Sequence, residues 1–494
     1  MTNPDSLINT TALPAGFPYL LDAARAARAY HALQPYPKFG FKGWKTESRG
    51  PLPLCMPFVR QIVKKGAFWL MGKPLSFTVE GNDELSDWLN EAWSANYMPS
   101  KAVNMAEQAA LSGATVLKGS WDEEAVKQGR QRHPFRISYL DAVENCRLYY
   151  DPADQEKLLM ARVEYPYFDY EKTQWFLYRE DWTDNLEVHY EPMPIPGATK
   201  PDEVPDYSVK AEFAAKFQIQ SQTPNKFGVV PFYQVKNLDA GYWYGVGDLW
   251  RLFLSIDRLN LTYDLANKDN QLSVYPKKVL IDLEQEADDM PFEDGPGSEE
   301  VYQSVGDKAG SVQYLEAQGK IRDSIVAYAE EVRAQIYECA GAVDIRPGTI
   351  TNKGNLTEAV MSVIYQPLIE MTGVKRQTYG ESGICKFFET MLRGFDNAGV
   401  FSSPTNVDVT CEWPPYFNPT EDALASMTNR FQVAVSTGFM TKEQAARKLA
   451  LAQGETDVEE FVRDLEESAE ADAKAEDEAT EGQREHELEL KATD

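Results

Sequence analysis

The chain has 494 residues, a hydrophobic fraction of 43% and a formal net charge of −28. That length and apolar content suffice for several packed units, and an aromatic content of 12% supplies the large side chains that disordered chains lack. The charge excludes a protein that holds DNA over its whole surface by neutralising phosphates, so any DNA contact must be local. Part of that charge sits in the tail from Glu466 to Asp494, where Asp and Glu crowd together with Ala and almost no bulky apolar residue.

Five cysteines, Cys55, Cys146, Cys339, Cys385 and Cys411, are odd in number, widely spaced and free of any Cys-x-x-Cys pair, so buried free thiols are expected. The start, Met1-Thr2-Asn3-Pro4-Asp5, has no basic stretch leading into an apolar core, and every apolar run is far below a membrane span. The expectation is synthesis in the cytoplasm, a soluble product and no membrane partner.

In chain order, the Ala-rich run Leu20 to Leu33 reads as a helix ended by Pro35 and Pro37. Apolar residues at Phe58, Ile62, Val63, Ala67, Leu70 and Met71 predict a second helix, stopped by Gly72-Lys73-Pro74 before a strand from Leu75 to Val79. Helices over Asp87 to Asn96 and Ser100 to Gly113 follow. Between Thr115 and Val235, short aromatic and β-branched runs predict strands at Arg162 to Tyr165, Gln174 to Tyr178, Leu186 to Tyr190 and Phe227 to Val235. Gly245-Val246-Gly247-Asp248 is read as opening a long helix to about Leu272, with Leu249, Leu252, Phe253, Ile256, Leu259 and Tyr263 as its apolar stripe.

A segment rich in Pro and Gly, Val274 to Glu316, holds strand-like runs such as Lys278 to Leu283, and a second long helix returns over Lys320 to Ala342 through Ile321, Ile325, Tyr328, Val332 and Ile336. After a polar loop, Thr349 to Lys353, one very long helix is expected from Asn355 to Asn397, capped by Asn355 with Glu358 and kinked at Pro367. A strand, Val407 to Trp413, precedes helices capped by Asn418-Pro419-Thr420-Glu421, by Thr441 with Gln444, and by Thr456-Asp457.

Little of this carries chemistry. Gly66 to Lys73 superficially resembles a phosphate-binding loop, but five bulky residues separate its glycines and Pro74 stands where a magnesium-binding hydroxyl belongs. The histidines, His31, His133, His189 and His486, have no partner at metal-ligand spacing. Glu284, Glu286, Asp288, Asp289, Glu293 and Asp294 lack the ordered ligand spacing of a calcium loop and read as a solvated run. No cofactor and no catalytic residue are expected.

The order of elements resembles the portal proteins of tailed bacteriophages. The most specific pieces are Phe68-Trp69-Leu70-Met71-Gly72-Lys73-Pro74, Trp93-Ser94-Ala95-Asn96, Gly228-Val229-Val230-Pro231-Phe232 leading to Gly247-Asp248-Leu249, and the turn Ser436-Thr437-Gly438-Phe439-Met440-Thr441-Lys442. The resemblance implies an α+β fold: a wing over residues 1–244, stem helices over 245–273 and 319–344 bracketing a β-containing clip at 274–318, and a tunnel loop at 345–354. A kinked helix and returning wing strand would occupy 355–417, a helical crown 418–465 and an acidic tail 466–494.

The function so implied is a ring of about twelve subunits at one capsid vertex, through which double-stranded DNA passes without sequence recognition during packaging and ejection. Implied partners are the terminase packaging motor, a head-completion adaptor, and the major capsid and scaffolding proteins, with assembly in the host cytoplasm and residence in the virion. Arg346, Thr349, Thr351, Asn352 and Lys353 would face DNA. Lys277 and Lys278 would face motor or adaptor, with solvated edge lysines that block aggregation as the plainer alternative. Leu252, Ile256, Leu259, Ile325 and Val332 would carry contacts between subunits. Two rivals stand beside this reading: a virion or scaffolding protein without a channel, and a metal-dependent nuclease using the carboxylates between Glu284 and Asp294.

Overall fold

The computed structural model describes residues 17–33, 56–197, 199–201, 217–241, 244–274, 277–281, 283–285, 302–304, 311–315, 320–344, 358–404, 407–417, 421–453, 461–463 and 465. Its first elements are α1 (Phe17–His31), α2 (Phe58–Met71), β1 (Ser76–Val79), α3 (Asp83–Ala95), α4 (Met98–Ser112), β2 (Ala114–Trp121), α5 (Glu123–Lys127) and β3 (Phe135–Asp141). A run of strands follows: β4 (Cys146–Asp151), β5 (Asp154–Asp169), β6 (Gln174–Thr183), β7 (Leu186–Tyr190), β8 (Met193–Pro194), β9 (Ile219–Pro224) and β10 (Phe232–Lys236). Then come α6 (Phe253–Val274), β11 (Lys277–Ile281), β12 (Leu283–Gln285), β13 (Tyr302–Ser304), β14 (Ser311–Leu315) and α7 (Lys320–Cys339). The chain closes with α8 (Glu358–Ile364), α9 (Gln366–Arg376), a π-helix (Gln377–Cys385), α10 (Lys386–Asn397), β15 (Val409–Glu412), α11 (Glu421–Ser436) and α12 (Lys442–Gln453).

The chain divides into two compact units, one of residues 1–28, 60–250 and 341–494, the other of residues 29–59 and 251–340. The larger unit is built on antiparallel strands. A three-stranded sheet in the order β10-β2-β3 lies beside a meander in the order β4-β5-β6-β7-β9, and β1 pairs with β15 far along the chain. Its main core gathers Leu89 and Trp93 of α3, Met105 and Ala109 of α4, Phe135 and Ile137 of β3, and Phe387, Phe388, Met391 and Phe395 of α10. Helix α10 buries positions 387, 388, 391, 392, 394 and 395, the spacing of a single helical face. Asn90 ties α3 to β1, because its amide accepts from Phe77 N at 2.8 Å and donates to Phe77 O at 2.9 Å.

One face of the meander packs Cys146, Leu148, Ala161, Val163 and Trp182 against Val116 and Phe232 of the three-stranded sheet and Val230 just before it. The other face holds buried charge. The Arg162 guanidinium donates to both oxygens of Asp181 at 2.7 and 2.8 Å, Tyr190 donates to Asp181 at 2.9 Å, and Arg147 pairs with Glu164 at 3.0 Å. Arg162 and Asp181 are cross-strand partners, so a slip of one residue would drive a charge into the apolar face and is strongly disfavoured.

The glycine loop before α6 departs from expectation. Gly245 to Asp248 does not open the helix, which starts at Phe253 after Arg251 adopts a left-handed φ of 65°. The loop is instead pressed onto the end of α4: a Cβ on Gly245 would lie 2.1 Å from Gly113 O, and one on Gly247 2.6 Å from Ala110 O. Asp248 then pairs with Lys375 of α9 at 2.6 Å, both almost fully buried, and accepts from Asn237 at 2.9 Å. Gly66, the residue that made the α2 segment resemble a phosphate loop, sits inside α2 where a Cβ would come within 3.5 Å of Asp248 Oδ2.

The expected single kinked helix over Asn355 to Asn397 is also revised. Asn355 lies outside the described residues. The axis breaks at Tyr365, and Pro367 stands in the first turn of α9, where a missing N–H costs no helical bond. The continuation is a nine-residue π-helix whose Gly383 lets Val235 approach, a Cβ there falling 2.9 Å from Val235 Cγ1. Strand β10 begins at Phe232 and not at Phe227, since Gly228 turns with φ of 63° and Pro231 cannot donate to a ladder. The capping box of Thr441 with Gln444 is present, Gln444 N donating to Thr441 Oγ1 at 3.1 Å and Thr441 N to Gln444 Oε1 at 3.4 Å. The other two expected caps fall on residues 418–420 and 456–457, outside the described residues.

Lys375→Met strands the Asp248 carboxylate in the interior and is expected to lower the unfolding free energy by about 3–5 kcal/mol, read from the urea midpoint. Adding Asp248→Asn removes the second charge and should recover much of that loss. Additive effects of the two substitutions would show that the pair is not coupled.

Candidate functional site: a helix pair joined by a β-ribbon

Helices α6 and α7 of the smaller unit pack on each other, and the chain between them forms an antiparallel ribbon. Strand β11 pairs with β14, Lys277 opposite Leu315 and Lys278 opposite Tyr314, and β12 pairs with β13, Leu283 opposite Ser304. This nested pairing is what two helices joined by outgoing and returning strands require. Glu284 stands opposite Gln303 in that ribbon, while Glu286, Asp288, Asp289, Glu293 and Asp294 lie outside the described residues. Among the described residues no group of His, Cys, Asp and Glu could hold a metal ion, and no helix is long and apolar enough to cross a membrane.

The residues singled out in the sequence fall into three groups. Arg346, Thr349, Thr351, Asn352 and Lys353 lie outside the described residues. Lys277 and Lys278 open β11. Leu252, Ile256 and Leu259 are buried, Ile256 and Leu259 completely, whereas Ile325 and Val332 on α7 are half-buried. The apolar side chains that face outward on these helices are Leu254 at 69% exposure and Leu265 at 50%, with Val326 and Tyr328 on α7. Apolar periodicity passes over Leu254 and Leu265 because they stand off the buried stripe of α6.

Helix α6 also buries polar groups that no motif announces. Tyr30 stacks on Phe253 and donates its hydroxyl to Asp257, and Asn260 Oδ1 accepts from Met56 N at 3.1 Å. Asp257 is 4% exposed, and among the described residues its second oxygen has no hydrogen-bond partner. Burial raises the pKa of Asp257 above the ordinary carboxylate value, against the opposing effect of the Tyr30 hydroxyl.

The histidines and thiols differ in their surroundings among the described residues. His133 is buried edge-on to Trp88 with centroids 4.8 Å apart, its Nδ1 accepting from Phe135 N at 3.1 Å, and burial lowers its pKa. His189 lies between Glu187 and Glu180, His31 is half-buried, and His486 lies outside the described residues. Cys146 and Cys385 are buried as expected, and burial pushes the Cys146 thiol far up. Cys411 is only partly covered, and Cys339 is exposed near the end of α7, correcting the expectation of uniformly buried thiols; Cys55 lies outside the described residues.

A carboxyl whose pKa is raised by folding favours the folded state while protonated and loses that advantage as pH climbs through the folded value. Asp257→Asn is therefore expected to raise the melting temperature at pH 7, with the gain shrinking toward and below the ordinary Asp value of 3.8. A gain independent of pH would contradict burial of the ionised carboxylate as its cause.

The profile of the family described as "Phage portal protein, SPP1 Gp6-like" matches residues 42–480. A comparison with curated proteins finds no match. Among solved structures, the neck of the empty GTA particle computed with C6 symmetry is similar at 12% identity and a TM-score of 0.40, covering 86% of this chain and 94% of that one. The neck of the native GTA particle computed with C12 symmetry is similar at 11% identity and a TM-score of 0.37, covering 85% and 93%. These likenesses are distant, and the assignment rests on the profile, which spans most of the sequence: the chain belongs to the SPP1 Gp6-like family of phage portal proteins.

Proposed function

We propose that this chain closes with copies of itself into a ring of about twelve subunits that conducts double-stranded DNA at one capsid vertex. The family makes it a portal protein of a virion-like particle. The finer reading takes α6 and α7 as the stem, the ribbon between them as the clip, residues 345–354 as the tunnel loop, residues 1–244 with β15 as the wing, and residues 418–465 as the crown. In that arrangement the DNA passes during packaging and ejection, the packaging motor and then the head-completion adaptor dock on the clip, and capsid and scaffolding proteins surround the wing. The ring forms in the host cytoplasm and remains in the virion.

The observation that carries the proposal is the profile match over residues 42–480, joined to a helix pair that keeps large apolar side chains in the open. Leu254 and Leu265 would be poor choices on a solitary subunit and are useful where neighbours cover them. The acidic charge suits a conduit, since carboxylates repel phosphate and let a duplex slide where a basic wall would grip it. No cofactor enters this role, and the family is a structural one.

Sedimentation velocity separates assembly from folding. The wild-type chain is expected at about twelve times its 55.7 kDa mass. Leu254→Glu with Leu265→Glu should lower the assembled fraction by about tenfold or more while the melting temperature holds. Ile256→Glu should instead destabilise the subunit itself by about 3 kcal/mol or more, because its side chain is completely enclosed. Normal assembly of the Leu254/Leu265 variant would remove these side chains from the contact.

A further inference from the structure

The ends of α2 and α9 meet residues 413–417 in an aromatic cluster that holds two cations. Trp69 stacks on Tyr365 with centroids 5.0 Å apart and on Tyr416 at 6.2 Å, and meets Phe417 edge-on at 5.7 Å. The Arg376 guanidinium lies 3.9 Å from the Tyr416 ring centre and 5.2 Å from that of Trp413. Lys73 Nζ donates to the Pro415 carbonyl oxygen at 2.7 Å. Trp69 and the three rings packed around it are half-buried, and Phe68 and Val374, 63% and 51% exposed, flank the cluster in sequence.

Among the described residues neither cation has a carboxylate partner. The groups that act on Arg376 are Tyr416 and Cys411, the charge that acts on Lys73 is Arg376 itself, and Arg376 Nε is buried without a hydrogen-bond acceptor. Burial lowers the pKa of both groups, and their mutual repulsion lowers that of Lys73 further. This is costly in a chain with 77 acidic and 49 basic residues, where a carboxylate partner is easily supplied. A guanidinium lying over aromatic faces still presents N–H groups in its plane, the geometry that takes a carboxylate with two parallel bonds.

We propose that Arg376, with Lys73 beside it, is the receptor for an Asp or Glu side chain of a second copy of this chain. The inference rests on the ring reading above. The half-buried Trp and Tyr walls, an Arg at their centre and an apolar rim are the composition of a protein–protein anchor point. A surface that tracks DNA phosphates is open and broadly cationic, whereas these two cations sit among half-buried rings.

The test compares wild type, Arg376→Gln, Arg376→Lys and Lys73→Met by sedimentation velocity and thermal melting, with binding of a fluorescent DNA duplex measured in parallel. Arg376→Gln should weaken assembly by at least about tenfold with little change in melting, and Arg376→Lys should restore part of it. Lys73→Met should shift assembly in the same direction, and it decides the question if Arg376→Gln fails to fold. Rings of unchanged stability in the variants overturn the inference, as does normal assembly with about tenfold weaker duplex binding, which would assign the site to phosphate. A wild-type chain that stays monomeric overturns the ring reading and this inference together.

Discussion

The buried pair of Lys375 and Asp248 is the constraint on which the larger unit is organised. Asp248 reaches Lys375 because Gly245 and Gly247 let the loop press onto the end of α4, and a Cβ on Gly66 of α2 would face the carboxylate at ordinary van der Waals distance. Asn237, at the end of β10, donates to the same carboxylate and accepts from the Tyr379 hydroxyl at 3.1 Å, which brings the π-helix into the network. Burial and the nearby Asp248 charge raise the pKa of Tyr379 well above its usual value, so the phenol keeps the proton this network uses. Four segments far apart in sequence are thus held by polar groups that have no water to fall back on.

What the sequence revealed follows from which forces are local. The amphipathic helices α2 and α10 were legible because burial repeats at the period of the backbone, and strands β5 to β7 because their aromatic and β-branched residues favour extended backbone. The Thr441–Gln444 box was legible because a cap is a contact between neighbours in sequence. The role of Asp248 was not, since its partner stands 127 residues away and its surroundings read equally well as a helix start. The π-helix was hidden for a related reason: its wide turn is imposed by packing of Gly380 and Gly383 against Trp413 and Val235, and no local propensity encodes that.

The candidate site divides along the same line. Apolar periodicity found the stripe of α6, but it could not tell a stripe that covers the subunit's own core from one left for a neighbour. Ile256 and Leu259 are fully enclosed in the subunit, while Leu254 and Leu265 are exposed on it and are assigned to a neighbour only by the proposal. Arg376 and Lys73 were invisible as a pair, because residues 303 positions apart meet only through the aromatic segment 413–417. The portal resemblance was legible from the order of elements, and the family profile over residues 42–480 bears it out.

The central claim is closure of many acidic copies into a ring around an axial channel. Electron microscopy of the purified full-length protein, with particles classified by rotational symmetry, tests it most directly. The account predicts hollow rings with one rotational order near twelve and a channel wide enough for a DNA duplex. Monomers, open filaments or closed particles without a channel would contradict it.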